Sequence, residues 1–160
     1  MKSSVIIGAA AGLFITTSVQ ARDLAIGSEL DSYSGVSRGD QAVTIEQSGV
    51  GNRADTRQYG SGNGVAIGQS GRANHAVAMQ AGSANEASIL QSGGYLSAEI
   101  NQQGVGHSAD IAQSGYHKQA TINQQGAYGN AEIVQLGRSS TPVSITQYAR
   151  GRMSVQVVQH

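Results

Sequence analysis

A glutamine recurs every eleven residues through most of this chain: Gln47, Gln58, Gln69, Gln80, Gln91, Gln102, Gln113, Gln124 and Gln135. A glycine follows each by two positions: Gly49, Gly60, Gly71, Gly82, Gly93, Gly104, Gly115, Gly126 and Gly137. Two further copies end at Gln147 and Gln159, at a spacing of twelve. A register kept over so many copies defines a repeat architecture, in which each unit buries its apolar face only against its neighbours.

Within each unit the residue four before the glutamine is Val or Ala, from Val43 and Ala54 to Val143 and Val155. The residue two before it is Ile45, Thr56, Ile67, Ala78, Ile89, Ile100, Ile111, Ile122, Ile133, Ile145 or Val157. Every unit reads small–x–Ile–x–Gln. This alternation of period two puts those three side chains on one face of a β-strand. The intervening pairs, such as Asp55/Arg57, Glu99/Asn101 and Thr121/Asn123, form the outward face. A strand of five residues plus a connector of six accounts for the eleven. Glycine sits at the first bend, and Asn52, Asn63, Asn74 and Asn85 recur five residues after the glutamine. Both residue types tolerate positive φ, so both are assigned to the turn.

Two units make a strand–turn–strand arch of twenty-two residues. One arch cannot bury its apolar face, but stacked arches can, at about 4.7–4.8 Å per layer. The fold class expected is therefore all-β: a β-solenoid of stacked arches that forms cross-β polymers. In-register stacking sets Ile on Ile and Gln on Gln. An unpaired amide in a core costs about 1–3 kcal/mol. A glutamine ladder removes that cost, because each amide donates to the next, so the repeated glutamines read as structural. Eleven strands give about five and a half layers with open edges at both ends, and open edges are templates for another chain. Because the repeat runs to Gln159-His160, no C-terminal cap is expected.

Composition fits a flat core. The chain has no Cys and no Trp, one Pro, and a single Phe, Phe14. Without cysteine there is no disulfide framework, so stability outside a cell must come from the ladders. Residues 1–21 read as a cleaved secretory signal: Lys2, an apolar run over Val5–Ile15, and Val19-Gln20-Ala21 before the cut. The run is short for a membrane span, which takes about 20 residues. Residues 22–39 break the register and are expected to be a flexible arm. Residues 40–137 are the regular array. Residues 138–160 are degenerate terminal repeats, with Ala149 where glycine stood and Pro142 just before a strand. They carry Arg138, Arg150 and Arg152 and no acidic residue, for a net charge of +3. These arginines are candidates for attachment to an anionic surface or acidic partner.

The unit Ala-x-Ile-x-Gln-x-Gly-x-x-Asn closely resembles the curlin repeat of curli, the extracellular amyloid fibres of enteric bacteria and their relatives. Ser83-Ala84-Asn85-Glu86-Ala87-Ser88-Ile89 and Ala127-Tyr128-Gly129-Asn130-Ala131 carry the likeness, which covers residues 40–160. The ending Ser144-Ile145-Thr146-Gln147-Tyr148, the segment Arg152–Gln159 and the basic terminal repeat make the chain look more like the minor, nucleating subunit than the major one. The minor subunit usually has five full arches, whereas eleven strands leave half an arch over. The resemblance implies export through a dedicated outer-membrane pore with accessory factors, retention at the outer cell surface, and templating of the major curlin subunit into biofilm fibres. It also associates the terminal repeat, here Thr141–His160, with surface attachment. The alternative within the family is the major fibre-forming subunit; outside it, a soluble monomeric β-solenoid that binds a ligand.

Nothing in the sequence points to an enzyme, a cofactor or a nucleic-acid partner. His75, His107, His117 and His160 share no face, and no carboxylate stands at metal-ligand spacing from them. Gly49-Val50-Gly51 and Gly60-Ser61-Gly62 lack the strand-to-helix setting of a nucleotide loop. No serine has a positioned base. An ice-binding solenoid would show an outward Thr-x-Thr ladder; the outward pairs here mix Glu, Asp, Arg, Leu and Gln.

Overall fold

The structure, a computed structural model, describes the backbone of residues 17–20 and the whole of residues 41–160. Apart from that short stretch, the expected leader and arm lie outside the described residues. Ten strands are present: β1 (Thr17–Gln20), β2 (Ala42–Val50), β3 (Arg53–Ser61), β4 (Gly64–Arg72), β5 (His75–Ser83), β6 (Glu86–Gly94), β7 (Ser97–Val105), β8 (Ser108–Tyr116), β9 (Gln119–Gln135) and β10 (Val143–Gln159). The described residues contain no helix.

From β2 onward, strands pair in parallel with the strand two places on. One face runs β2–β4–β6–β8 and then the second half of β9; the other runs β3–β5–β7 and the first half of β9. β10 lies along both halves of β9. β9 and β10 are each a whole arch whose corner stays in strand, so the eleven sequence units reduce to nine strands after β1. Pairing is in register at twenty-two residues: Ile45 faces Ile67, Gln47 faces Gln69, and Gly49 faces Gly71. The chain is thus a parallel β-solenoid, the fold class its repeat demands. The register shifts once, between Arg150 and Met153.

The core is a slab between the two faces, built from Val65, Ile67, Ile89, Ile111 and Ile133 on one side and Ala54, Ala76, Ile100, Ile122 and Ile145 on the other. Burying each Ile contributes roughly 1.5–3 kcal/mol. The second face is thinner toward the N-terminus, where Thr56 and Ala78 replace Ile and are buried all the same.

The strands are longer than the repeat pattern implies. β2 to β8 each run nine residues, and the connectors shrink to pairs such as 51–52 and 62–63. The glycine bend therefore lies inside the strand rather than in a six-residue turn. Gly82 shows why: its φ is +123°, and a Cβ there would sit 1.9 Å from the carbonyl oxygen of Gly104 one layer on. Only glycine lets the strand turn this corner while still pairing with the next layer.

Candidate functional site

Stacking turns the repeated side chains into two ladders. On the first face Nε2 of Gln47 donates to Oε1 of Gln69 at 2.5 Å. The ladder continues from Gln69 to Gln91 at 2.8 Å, Gln91 to Gln113 at 3.0 Å, Gln113 to Gln135 at 2.8 Å and Gln135 to Gln159 at 2.9 Å. On the second face it runs from Gln58 to Gln80 at 2.9 Å, to Gln102 at 2.8 Å, to Gln124 at 2.9 Å and to Gln147 at 2.8 Å. The second amide hydrogen crosses the core: Nε2 of Gln102 also donates to the carbonyl of Glu86 at 2.8 Å, and Nε2 of Gln80 to that of Gly64 at 2.9 Å. Each amide so placed ties adjacent layers and joins the two faces. The isoleucines divide the same way: Ile45, Ile67, Ile89, Ile111 and Ile133 on the first face, Ile100, Ile122 and Ile145 on the second.

The glycines form matching columns. Gly49, Gly71, Gly93 and Gly115 stack on one face and Gly60, Gly82, Gly104 and Gly126 on the other, all with positive φ. Ala149 ends the second column opposite Gly126. Ala149 is not among the described residues with positive φ, so its backbone does not require glycine. Gly137 leaves the pattern, with φ +73° in the connector before β10.

The asparagines lie in the connectors between strands, but without the positive φ their type implies. None of Asn52, Asn63, Asn74 and Asn85 is among the described residues with positive φ; that conformation falls one residue earlier, at Gly51, Gly62, Ala73 and Ala84. The asparagine side chains are buried at the corner. Nδ2 of Asn63 donates to the carbonyls of Tyr59 and Gly82, both at 3.0 Å, and its Oδ1 accepts the backbone N–H of Asn85 at 3.1 Å. They complete carbonyls and amides that the bends release from the sheet.

Two residues missed by sequence reasoning occupy this same corner position: His107 and Lys118, both fully buried. Nδ1 of His107 accepts the N–H of Gly129 at 3.1 Å, while its Nε2 has no partner. The Lys118 ammonium donates to the carbonyls of Leu136 and Ser139, holding the connector that precedes β10. The signal for both was in the repeat: they stand five residues after a glutamine, where asparagine stands elsewhere.

Apart from Lys118, the charged side chains among the described residues are exposed or half-buried. Arg138, Arg150 and Arg152 are exposed. Asp110 sits in register beside Glu132. Partial burial pushes its carboxyl above the ordinary value of 3.8, the Glu132 and Glu86 carboxylates push it further, and a hydrogen bond with Ser88 opposes them. Among the described residues no group of three or more His, Cys, Asp or Glu is placed to hold a metal ion.

A parallel solenoid held by identical side chains in ladders defines a structural, self-stacking class of protein. The curlin associated repeat matches the chain over residues 41–71, 60–93, 71–104 and 82–115. Residues 41–115 are thus built of curlin associated repeats. Comparison with curated proteins and with solved structures found no match.

Proposed function

We propose that this chain is the minor, nucleating subunit of a curli fibre. It is secreted after loss of residues 1–21, exported through the outer-membrane pore with its accessory factors, and kept at the cell surface. There it templates the major curlin subunit for adhesion and biofilm matrix. The observation that carries this reading is the contrast between the array and its end. Residues 41–135 stack without interruption, whereas the last arch shifts register between Arg150 and Met153 and exposes Arg138, Arg150 and Arg152. A regular array supplies a template, and a basic, irregular end supplies a hold on an anionic surface.

The test is a seeding assay. Trace amounts of folded chain, full-length or ending at Ala149, are added to freshly diluted major subunit from the same source, and thioflavin fluorescence is followed. Both versions should abolish the lag, and only the full chain should bind vesicles rich in anionic lipid. If neither shortens the lag, the chain is a fibre subunit in its own right and the nucleating role is wrong.

A further inference from the structure

The two ends of the glutamine ladders are not equivalent. Every ladder amide donates toward the C-terminus, so each Oε1 accepts from the layer before it. Among the described residues no parallel strand layer precedes the first. Oε1 of Gln47 and Oε1 of Gln58 are buried and have no hydrogen-bond partner. At the other end both terminal amide nitrogens have partners within the chain. Nε2 of Gln147 donates to the carbonyls of Met153 at 3.0 Å and Asn130 at 3.3 Å, and Nε2 of Gln159 to Oγ of Ser139 at 2.8 Å.

Backbone order runs the same way. β2 and β3 each keep an unbroken nine-residue parallel register with the next layer, while β10 carries the register shift. The outer edge of β3 also accepts a strand: β1 lies antiparallel on it, from Thr17 beside Thr56 to Gln20 beside Arg53. That pairing stops short of Gln58. It comes from within the expected leader, so loss of the leader removes this strand from Arg53–Thr56.

We propose that the N-terminal face, the outer edges of β2 and β3 with the acceptors of Gln47 and Gln58, is the growing and templating end. Its occupant is the last pair of strands of a second chain of the same small–x–Ile–x–Gln repeat. This deepens the nucleating reading by assigning the end that templates. An incoming strand pair in parallel register continues both ladders once its terminal amides exchange an internal partner, Met153 for Gln147 and Ser139 for Gln159, for the unmet acceptors. Its inward apolar side chains, Val143, Ile145, Val155 and Val157 in a copy of this chain, cover Ile45 and Ala54. The C-terminal face, with its own amides engaged and its arginines outward, remains free for attachment. Nucleation is then directional: a copy held by its C-terminal end presents its N-terminal face to arriving chains.

The test uses three kinds of folded seed made from the chain beginning at Arg22: unaltered, Gln47→Leu/Gln58→Leu, and one with a compact folded domain fused directly after His160. Each is elongated with freshly diluted unfolded copies of the unaltered chain, and the initial rate is read by thioflavin fluorescence. The fusion covers only the C-terminal face, so its rate should stay within about twofold of the unaltered seed, given a template that lies at the far end. Removing the two acceptors should slow elongation by about tenfold for each, or about a hundredfold together. A fused seed that fails to elongate, or a doubly substituted seed that elongates like the unaltered one, overturns the assignment. Because growth is read with the chain's own copies, an error in the nucleating role would appear only in the assay with the major subunit.

Discussion

Replacing Gln102 by leucine separates a ladder from a hydrophobic slab. Gln102 is fully buried at the middle of the second ladder. It accepts from Gln80 at 2.8 Å, donates to Gln124 at 2.9 Å, and donates to the carbonyl of Glu86 at 2.8 Å. Leucine removes all three bonds and strands an N–H of Gln80 and the Oε1 of Gln124. Each stranded buried group costs about 1–3 kcal/mol, and burial of the leucine offsets roughly 1.5–3 kcal/mol. The net expectation is a loss of about 0.5–3 kcal/mol, read as a lower denaturant midpoint of the folded chain. The sharper readout is a double-mutant cycle. Gln80→Leu/Gln102→Leu should cost less than the sum of the single changes by about 1–2 kcal/mol, because the second substitution removes a donor that the first had stranded. Gln47→Leu with Gln102→Leu, in different ladders and more than two layers apart, should add to within about 0.5 kcal/mol. Additivity in the first pair would refute the ladder as the source of the glutamine's contribution.

Gly82→Ala places a Cβ 1.9 Å from the Gly104 carbonyl at a φ of +123°, so loss of the β-sheet circular dichroism signal and of thioflavin-positive assembly is expected. Asp110 carries a carboxyl raised above 3.8 in the folded state, so the folded chain holds that proton more tightly than the unfolded one. The penalty for ionising it is therefore full at neutral pH, is relieved as pH falls through the raised value, and is gone below 3.8. Denaturant midpoints should thus rise on mild acidification, and Asp110→Asn should flatten that rise while stabilising the chain at pH 7. Lys118→Ala removes the buried ammonium that holds the carbonyls of Leu136 and Ser139. A hydrogen bond from a charged group contributes about 1.5–3 kcal/mol, so limited proteolysis within residues 136–142 should quicken by at least about tenfold.

Much of this was open to a reader of the sequence alone, for a physical reason. Period two along a strand determines which side chains share a face, and an unvarying spacing determines that like stacks on like. The inward placing of Ile67, Ile100 and Gln102 and the twenty-two-residue layer follow from those two periods. The corners do not. Asn63 has the composition of a turn residue, and local propensity assigns it a left-handed backbone. Only the folded chain brings the Gly82 carbonyl and the Asn85 amide to its side chain, from nineteen and twenty-two residues away. The repeat marks the position of His107 and Lys118, but not their burial, since a buried lysine is acceptable only where carbonyls from a later connector meet it. Strand length escaped too, because a glycine that reads as the end of a strand bends it in register when the next layer closes over it. The polarity of the ladders belongs wholly to tertiary structure. Glutamine carries a donor and an acceptor at every position. The winding of the solenoid aims the donors toward the C-terminus and leaves the acceptors of Gln47 and Gln58 unmet.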